Sequence, residues 1–142
     1  MVKDMFGLIL LFIFLIICSY TDIKERSINV GMIILFAILG ILCSNAKIIS
    51  IFIGIIPGIL LFLVNRLTNG QIGIGDVLVL IVVGIILGFE KTVIILMLST
   101  LMAGIYGIIK MLIFKVNRKE TMAFAPFVLL AYIVVAVRYI NG

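Results

Sequence analysis

Residues 72–89 read Ile-Gly-Ile-Gly-Asp-Val-Leu-Val-Leu-Ile-Val-Val-Gly-Ile-Ile-Leu-Gly-Phe, and Asp76 is the one charged residue among them. A helix that crosses a bilayer needs roughly 20 mostly apolar residues. In lipid every backbone N–H and C=O must bond within its own segment, so such a run predicts a helix. A membrane β-barrel strand would alternate apolar and polar residues, and this run does not.

Five more apolar runs lie outward from it, at residues 5–20, 28–43, 48–64, 92–114 and 121–140. The 142 residues are 65% hydrophobic and 12% charged, with a mean hydropathy of +1.50. A soluble domain averages about 45–50% apolar and about 25% charged residues. In water, a chain of this length and composition would expose very large apolar patches. The expectation is therefore all-α: a polytopic membrane protein of six transmembrane helices, forming a single domain over residues 1–142. Several runs are short, so their ends reach into the interface. The first run is followed by charges rather than by a small-residue cleavage site, so it reads as a retained span. There is no polar linker, internal repeat or heptad seam, and nothing specifies an oligomeric state.

The short connections set the orientation, because basic residues concentrate on the cytoplasmic side. Residues 22–27, 65–71 and 115–120 fall on one face and carry Lys24, Arg26, Arg66, Lys115, Arg118 and Lys119. The opposite face has Lys3, Lys47, Lys91 and Arg138. Six against four puts the three loops in the cytoplasm and both termini outside, in a multi-pass protein of the cell (cytoplasmic) membrane. The net charge of +5 then reflects topology and contact with lipid headgroups. No basic stripe with interleaved aromatics is present, so nucleic acid is not an expected partner.

Asp22 stands where the first span meets the cytoplasm, and Asp76 near the cytoplasmic start of the fourth. The second and third spans form an out-and-back hairpin between them, so span counting brings both carboxyl groups to one face at similar depth. Two close carboxylates cannot both ionise cheaply and share one proton. The ionised member takes a proton from water, and the protonated member donates one. Ionisable groups at membrane depth are costly and default to function. Plainer readings exist. Asp22 could be a flanking charge paired with Lys24 or Arg26, and Asp76 a helix N-cap. Asp4 falls on the wrong face, and Glu25, Glu90 and Glu120 read as loop charges.

Gly70, Gly73 and Gly75 precede Asp76. In a helix each glycine costs about 1 kcal/mol relative to alanine, but glycine also permits close backbone approach. An extended peptide could lie against such a segment; the plain alternative is a flexible loop before a helix.

The segment Gly73-Ile74-Gly75-Asp76 resembles the GxGD signature of intramembrane aspartyl proteases. Ser19-Tyr20-Thr21-Asp22-Ile23-Lys24-Glu25-Arg26 resembles the type IV prepilin peptidase pattern of a span ending in an aspartate followed by basic residues. Phe124-Ala125-Pro126-Phe127 is similar to the proline-containing segment that opens a late span in that family. Presenilin-type members are longer and fit less well. The resemblance covers nearly the whole chain and implies an aspartic-type endopeptidase with Asp22 and Asp76 as catalytic acids. It implies that Gly73 and Gly75 shape the active-site loop and that Phe124, Ala125 and Pro126 pack near the site. It also implies a prepilin-like protein substrate, cut at the cytoplasmic face between a basic leader and a hydrophobic helix. Two departures bear on substrate preference: Leu78 stands where many members have lysine, and Ile28-Asn29-Val30 stands where many have a Pro-Asn pair. The cysteine-bearing amino-terminal region of the bifunctional members is absent, so the chain looks like the small, peptidase-only type of pilus systems, without methyltransferase activity.

With no histidine, Ser-His and Cys-His catalysis and histidine-ligated zinc are excluded, and the dyad calls for no metal or cofactor. Cys18 lies one turn before Asp22 and reads as small apolar packing. Cys43 falls near the opposite face, so no disulfide between them is expected. The Gly-rich segment lacks the Gly-Lys-Ser/Thr of a phosphate loop. Gly54, Pro57 and Gly58, and Gly104 and Gly107, read as sites of close helix packing or a kink.

The reading is a membrane endopeptidase in which Glu25, Glu120 and Pro126 bind substrate, the glutamates by attracting the basic leader. The rival is a non-enzymatic membrane protein, either a small transporter or a pilus or secretion assembly subunit. A transporter should carry acidic groups near the bilayer midplane, and no span here has one.

Overall fold

The computed structural model describes residues 2–25, 28–43, 48–67, 73–114 and 123–141. They form six helices in chain order: α1 (Val2–Glu25), α2 (Val30–Cys43), α3 (Ile48–Leu67), α4 (Ile74–Leu87), α5 (Phe89–Phe114) and α6 (Ala125–Asn141). The all-α, polytopic membrane class expected from the sequence holds. Met5–Glu25, Ile48–Leu67 and Phe89–Ile113 are long and apolar enough to cross a membrane, and α2, α4 and α6 are shorter apolar helices. At a rise of 1.5 Å per residue, a 14-residue helix covers about 21 Å of a hydrocarbon core about 30 Å thick.

Two boundaries differ from the sequence expectation. The first helix runs on through Asp22 to Glu25, and within it Thr21 donates its hydroxyl back to the carbonyls of Ile17 and Cys18. Asp22 is therefore a helical residue and not the start of a loop. The fourth and fifth runs are joined at Gly88 alone, at φ 79° and ψ 176°. This is backbone that an L side chain rarely adopts. The Gly88 N–H bonds the carbonyl of Gly84, and its own carbonyl accepts the N–H and hydroxyl of Thr92. Glu90 consequently lies in the first turn of α5, where an acidic side chain meets the positive end of the helix dipole.

The core is built from helical stripes. Leu11, Phe14, Leu15 and Cys18 on α1 are buried at the i, i+3, i+4, i+7 spacing, and Asp22 continues that stripe by one more turn. On α6, Ala125, Val128, Ala131 and Tyr132 are buried. Helix α4 is buried almost all round, through Val77, Val79, Leu80, Val82, Val83, Gly84 and Ile85, and packs on α1, α2, α3 and α5. Large apolar side chains cover the outside, Leu42 and Leu112 at 74% and 77% exposure among them. That inverts the soluble pattern, as a lipid-facing surface requires.

Glycine sets how closely α4 is approached. Gly54 of α3 and Gly84 of α4 face each other backbone to backbone, and a Cβ on either would fall on the other's carbonyl oxygen. One turn along, a Cβ on Gly58 would run into Ile81, and a Cβ on Gly40 of α2 would lie 2.8 Å from Ile86. Gly104 of α5 has nothing within 4 Å of where its Cβ would be, so the close packing expected there is not made.

These contacts fix directions. Gly7, Gly40 and Ile86 gather at one end of the bundle, where Lys91 Nζ sits 3.6 Å from the Tyr139 ring centre. Tyr132 donates its hydroxyl to the Leu8 carbonyl at 2.7 Å, tying α6 to α1 in opposite sense. Asp22, Ile28, Gly75, Asp76 and Ala125 are then at the other end. Replacing Gly84 by alanine should destabilise the protein in detergent by about 1–3 kcal/mol, the cost of forcing extra volume into a packed contact. Gly104→Ala should cost nothing and gain up to about 1 kcal/mol of helix propensity; denaturant unfolding of the two variants measures the contrast.

Candidate active site

The site is assembled from the end of one helix and the starts of three others. Asp22 occupies the last turns of α1. Asp76 occupies the first turn of α4. Ile28 and Asn29 lead into α2, where Asn29 Oδ1 accepts the Gly31 N–H at 2.9 Å and its carbonyl accepts those of Met32 and Ile33. Asn29 thus satisfies the free donors of a helix start. Phe124 and Ala125 open α6.

Asp22 Oδ2 accepts a hydrogen bond from the main-chain N–H of Ala125 at 3.0 Å, across 103 residues of sequence. The geometry follows from how α6 begins. Pro126 has no N–H and is tolerated in a first turn because that donor has no intrahelical acceptor anyway. The Phe127 N–H turns back to the Phe124 carbonyl at 3.0 Å. The Ala125 N–H is left to point outward, at the positive end of the helix, and a carboxylate is the acceptor that best matches it. Pro126, expected to bind substrate, is thereby placed one residue from the group that holds Asp22. Of the two cations in the flanking-charge reading of Asp22, Lys24 lies 5.6 Å from the Tyr20 ring centre, and Arg26 is outside the described residues.

Asp76 is not an N-cap. Gly73 occupies that position in extended conformation, with φ −63° and ψ 132°, and its carbonyl accepts the Asp76 N–H at 3.1 Å. The Asp76 side chain folds back over this turn, so that a Cβ on Gly73 would lie 3.0 Å from its Oδ2. Gly75 is closed in on the other side by Ile28. Both glycines therefore stand where added side-chain volume would meet the site. Asp22 and Asp76 are each half-buried. Cys18 is buried and free, and Cys43 is also free.

Of the other expected site residues, Glu25 is exposed at the end of α1, and Glu120 lies outside the described residues. Among the described residues no three His, Cys, Asp or Glu side chains gather as a metal-ligating set. Two participants escaped the sequence reading. They are the Ala125 N–H on Asp22 and the Ile28 side chain on Gly75; a third residue the sequence reading passed over, Asn65, is a buried polar residue near the end of α3. The proline at position 126 could have signalled the first, since proline marks a helix start; a single isoleucine carries no such signal.

The Ala125 bond separates two substitutions of Asp22. Asp22→Asn keeps an acceptor oxygen and should stay within about 1 kcal/mol of wild-type stability. Asp22→Ala leaves a part-buried donor unpaired and should lose about 1–3 kcal/mol. Thermal unfolding in detergent distinguishes them.

A comparison with curated proteins found no match, and a comparison with solved structures found none either. Against known families, the chain matches the type IV leader peptidase family over residues 9–108, a stretch that contains Asp22, Gly73, Gly75 and Asp76 and ends before α6. The match covers well over half of the chain, and the fold is that of an all-α membrane protein. The chain belongs to the type IV leader peptidase family, a family of proteases.

Proposed function

We propose that this protein is an aspartic-type endopeptidase of the cytoplasmic membrane, with Asp22 and Asp76 as its catalytic pair. The observation that carries the proposal is a shared location: two acidic residues 54 positions apart in the sequence come to the same end of an apolar bundle, each half-buried. Close carboxyl groups hold a single proton between them. The ionised carboxylate draws a proton from a water, the oxygen of that water attacks the peptide carbonyl, and the protonated carboxyl donates to the leaving amine. No acyl-enzyme forms.

The substrate in this reading is a prepilin-like protein, with a short basic leader followed by a hydrophobic helix. That helix docks among the spans in lipid, and the leader extends past the loop of Gly73 and Gly75 at the cytoplasmic face. The excess of basic residues in the sequence connections 22–27, 65–71 and 115–120 supports the orientation. Glu25, with Glu120, draws the positive leader. The single domain and six crossings are part of the same proposal.

Cleavage of a co-expressed prepilin-like substrate tests it. Asp22→Asn and Asp76→Asn should each lower the rate by about 10²–10⁴-fold, the usual worth of a general acid or base. Normal processing by either variant removes the dyad from the mechanism. Glu25→Gln should raise KM a few-fold and leave kcat unchanged; an unaltered KM removes Glu25 from leader binding.

A further inference from the structure

Ile28 closes the connection from α1 and is followed directly by Asn29, which opens α2. Its side chain lies against Gly75: a Cβ at position 75 would sit 3.1 Å from Ile28 Cδ1, 3.2 Å from Cγ1 and 3.3 Å from Cβ. The far end of the side chain could swing aside, but the branch carbon cannot, and β-branching makes the first side-chain torsion stiff. Nor is Ile28 free to retreat. It is half-buried and packs on the core cluster that α1, α2, α4, α5 and α6 share. One side of this contact is the chain that left Asp22 six residues earlier. The other is the first turn of α4, where Gly75 immediately precedes Asp76.

We infer that Ile28 is a positioning residue: its side chain, seated on Gly75, sets the distance between the α1–α2 connection and the first turn of α4, and with it the separation of the Asp22 and Asp76 carboxyl groups. Gly75 is glycine because Ile28 occupies the space of its side chain. The two residues act as one steric couple. Ile28 touches neither substrate nor reacting atoms, and it acts through the aspartates, so the inference rests on their proposed catalytic role.

The experiment uses the full chain and has two arms. In the cleavage assay, Ile28→Ala should lower kcat about tenfold, as small misplacements of catalytic groups do, with KM within about twofold of wild type. Gly75→Ala should also lower kcat, and Ile28→Ala/Gly75→Ala should be more active than Gly75→Ala alone, since one change makes room for the other. Losses that multiply, or an unchanged kcat in Ile28→Ala, overturn the inference. If Asp22→Asn or Asp76→Asn cleaves normally in the same assay, it is the proposed function that fails. The second arm needs no activity. In a Cys18→Ala/Cys43→Ala background, the pair Asp22→Cys/Asp76→Cys is joined by a short bifunctional thiol reagent, with Ile28 intact, as Ile28→Val and as Ile28→Ala. A several-fold change in cross-linking rate on truncation supports the spacer; equal rates across the three overturn it. Ile28→Val keeps the test decisive if Ile28→Ala does not accumulate.

Discussion

Asp76 comes to the same end of the bundle as Asp22 because α4 is enclosed by α1, α2, α3 and α5, and the glycine contact of α3 on α4 makes that enclosure possible. Between two apolar helices in lipid there is no hydrophobic gain from leaving water, so association relies on close packing. Gly54 against Gly84 brings two backbones into contact. Gly58 under Ile81 and Gly40 under Ile86 repeat the device at neighbouring levels. A side chain at any of these positions would push α4 outward, and its first turn with it. The glycines before Asp76 belong to the same scheme: Gly75 admits Ile28, and Gly73 leaves room for the Asp76 carboxyl.

The second requirement is electrostatic. A carboxylate partly removed from water needs compensation. Asp22 finds it in the start of α6, where the Ala125 N–H points at it with the field of a helix N-terminus behind it. This bond also closes the bundle, joining the last helix to the first at the Asp22 end, as Tyr132 and Leu8 do deeper in the core. The carboxyl groups are thus held by separate helix starts, α6 for Asp22 and α4 for Asp76.

Much of this was legible in the chain. Long apolar runs with a charge bias in their connections announce membrane helices, because lipid leaves the backbone no other partner. Counting the runs placed Asp22 and Asp76 at one end, which the structure has. The boundaries were harder. The continuation of α1 through Asp22 and the one-residue break at Gly88 depend on backbone bonding and a single positive φ, neither of which hydropathy registers. Gly104 shows the limit from the other side: a glycine in an apolar run suggests close packing, yet nothing lies against this one.

By itself, the sequence determined the class of the protein and singled out Asp22 and Asp76 as its candidate acids, since composition decides the solvent a chain requires and few charges survive in lipid. Only the tertiary structure decided what holds those acids. That Ala125 donates to Asp22 and that Ile28 fills the space beside Gly75 are contacts between residues 103 and 47 positions apart. They exist because six helices pack in one particular order, and packing order depends on shape fitted across the whole bundle rather than on any local pattern.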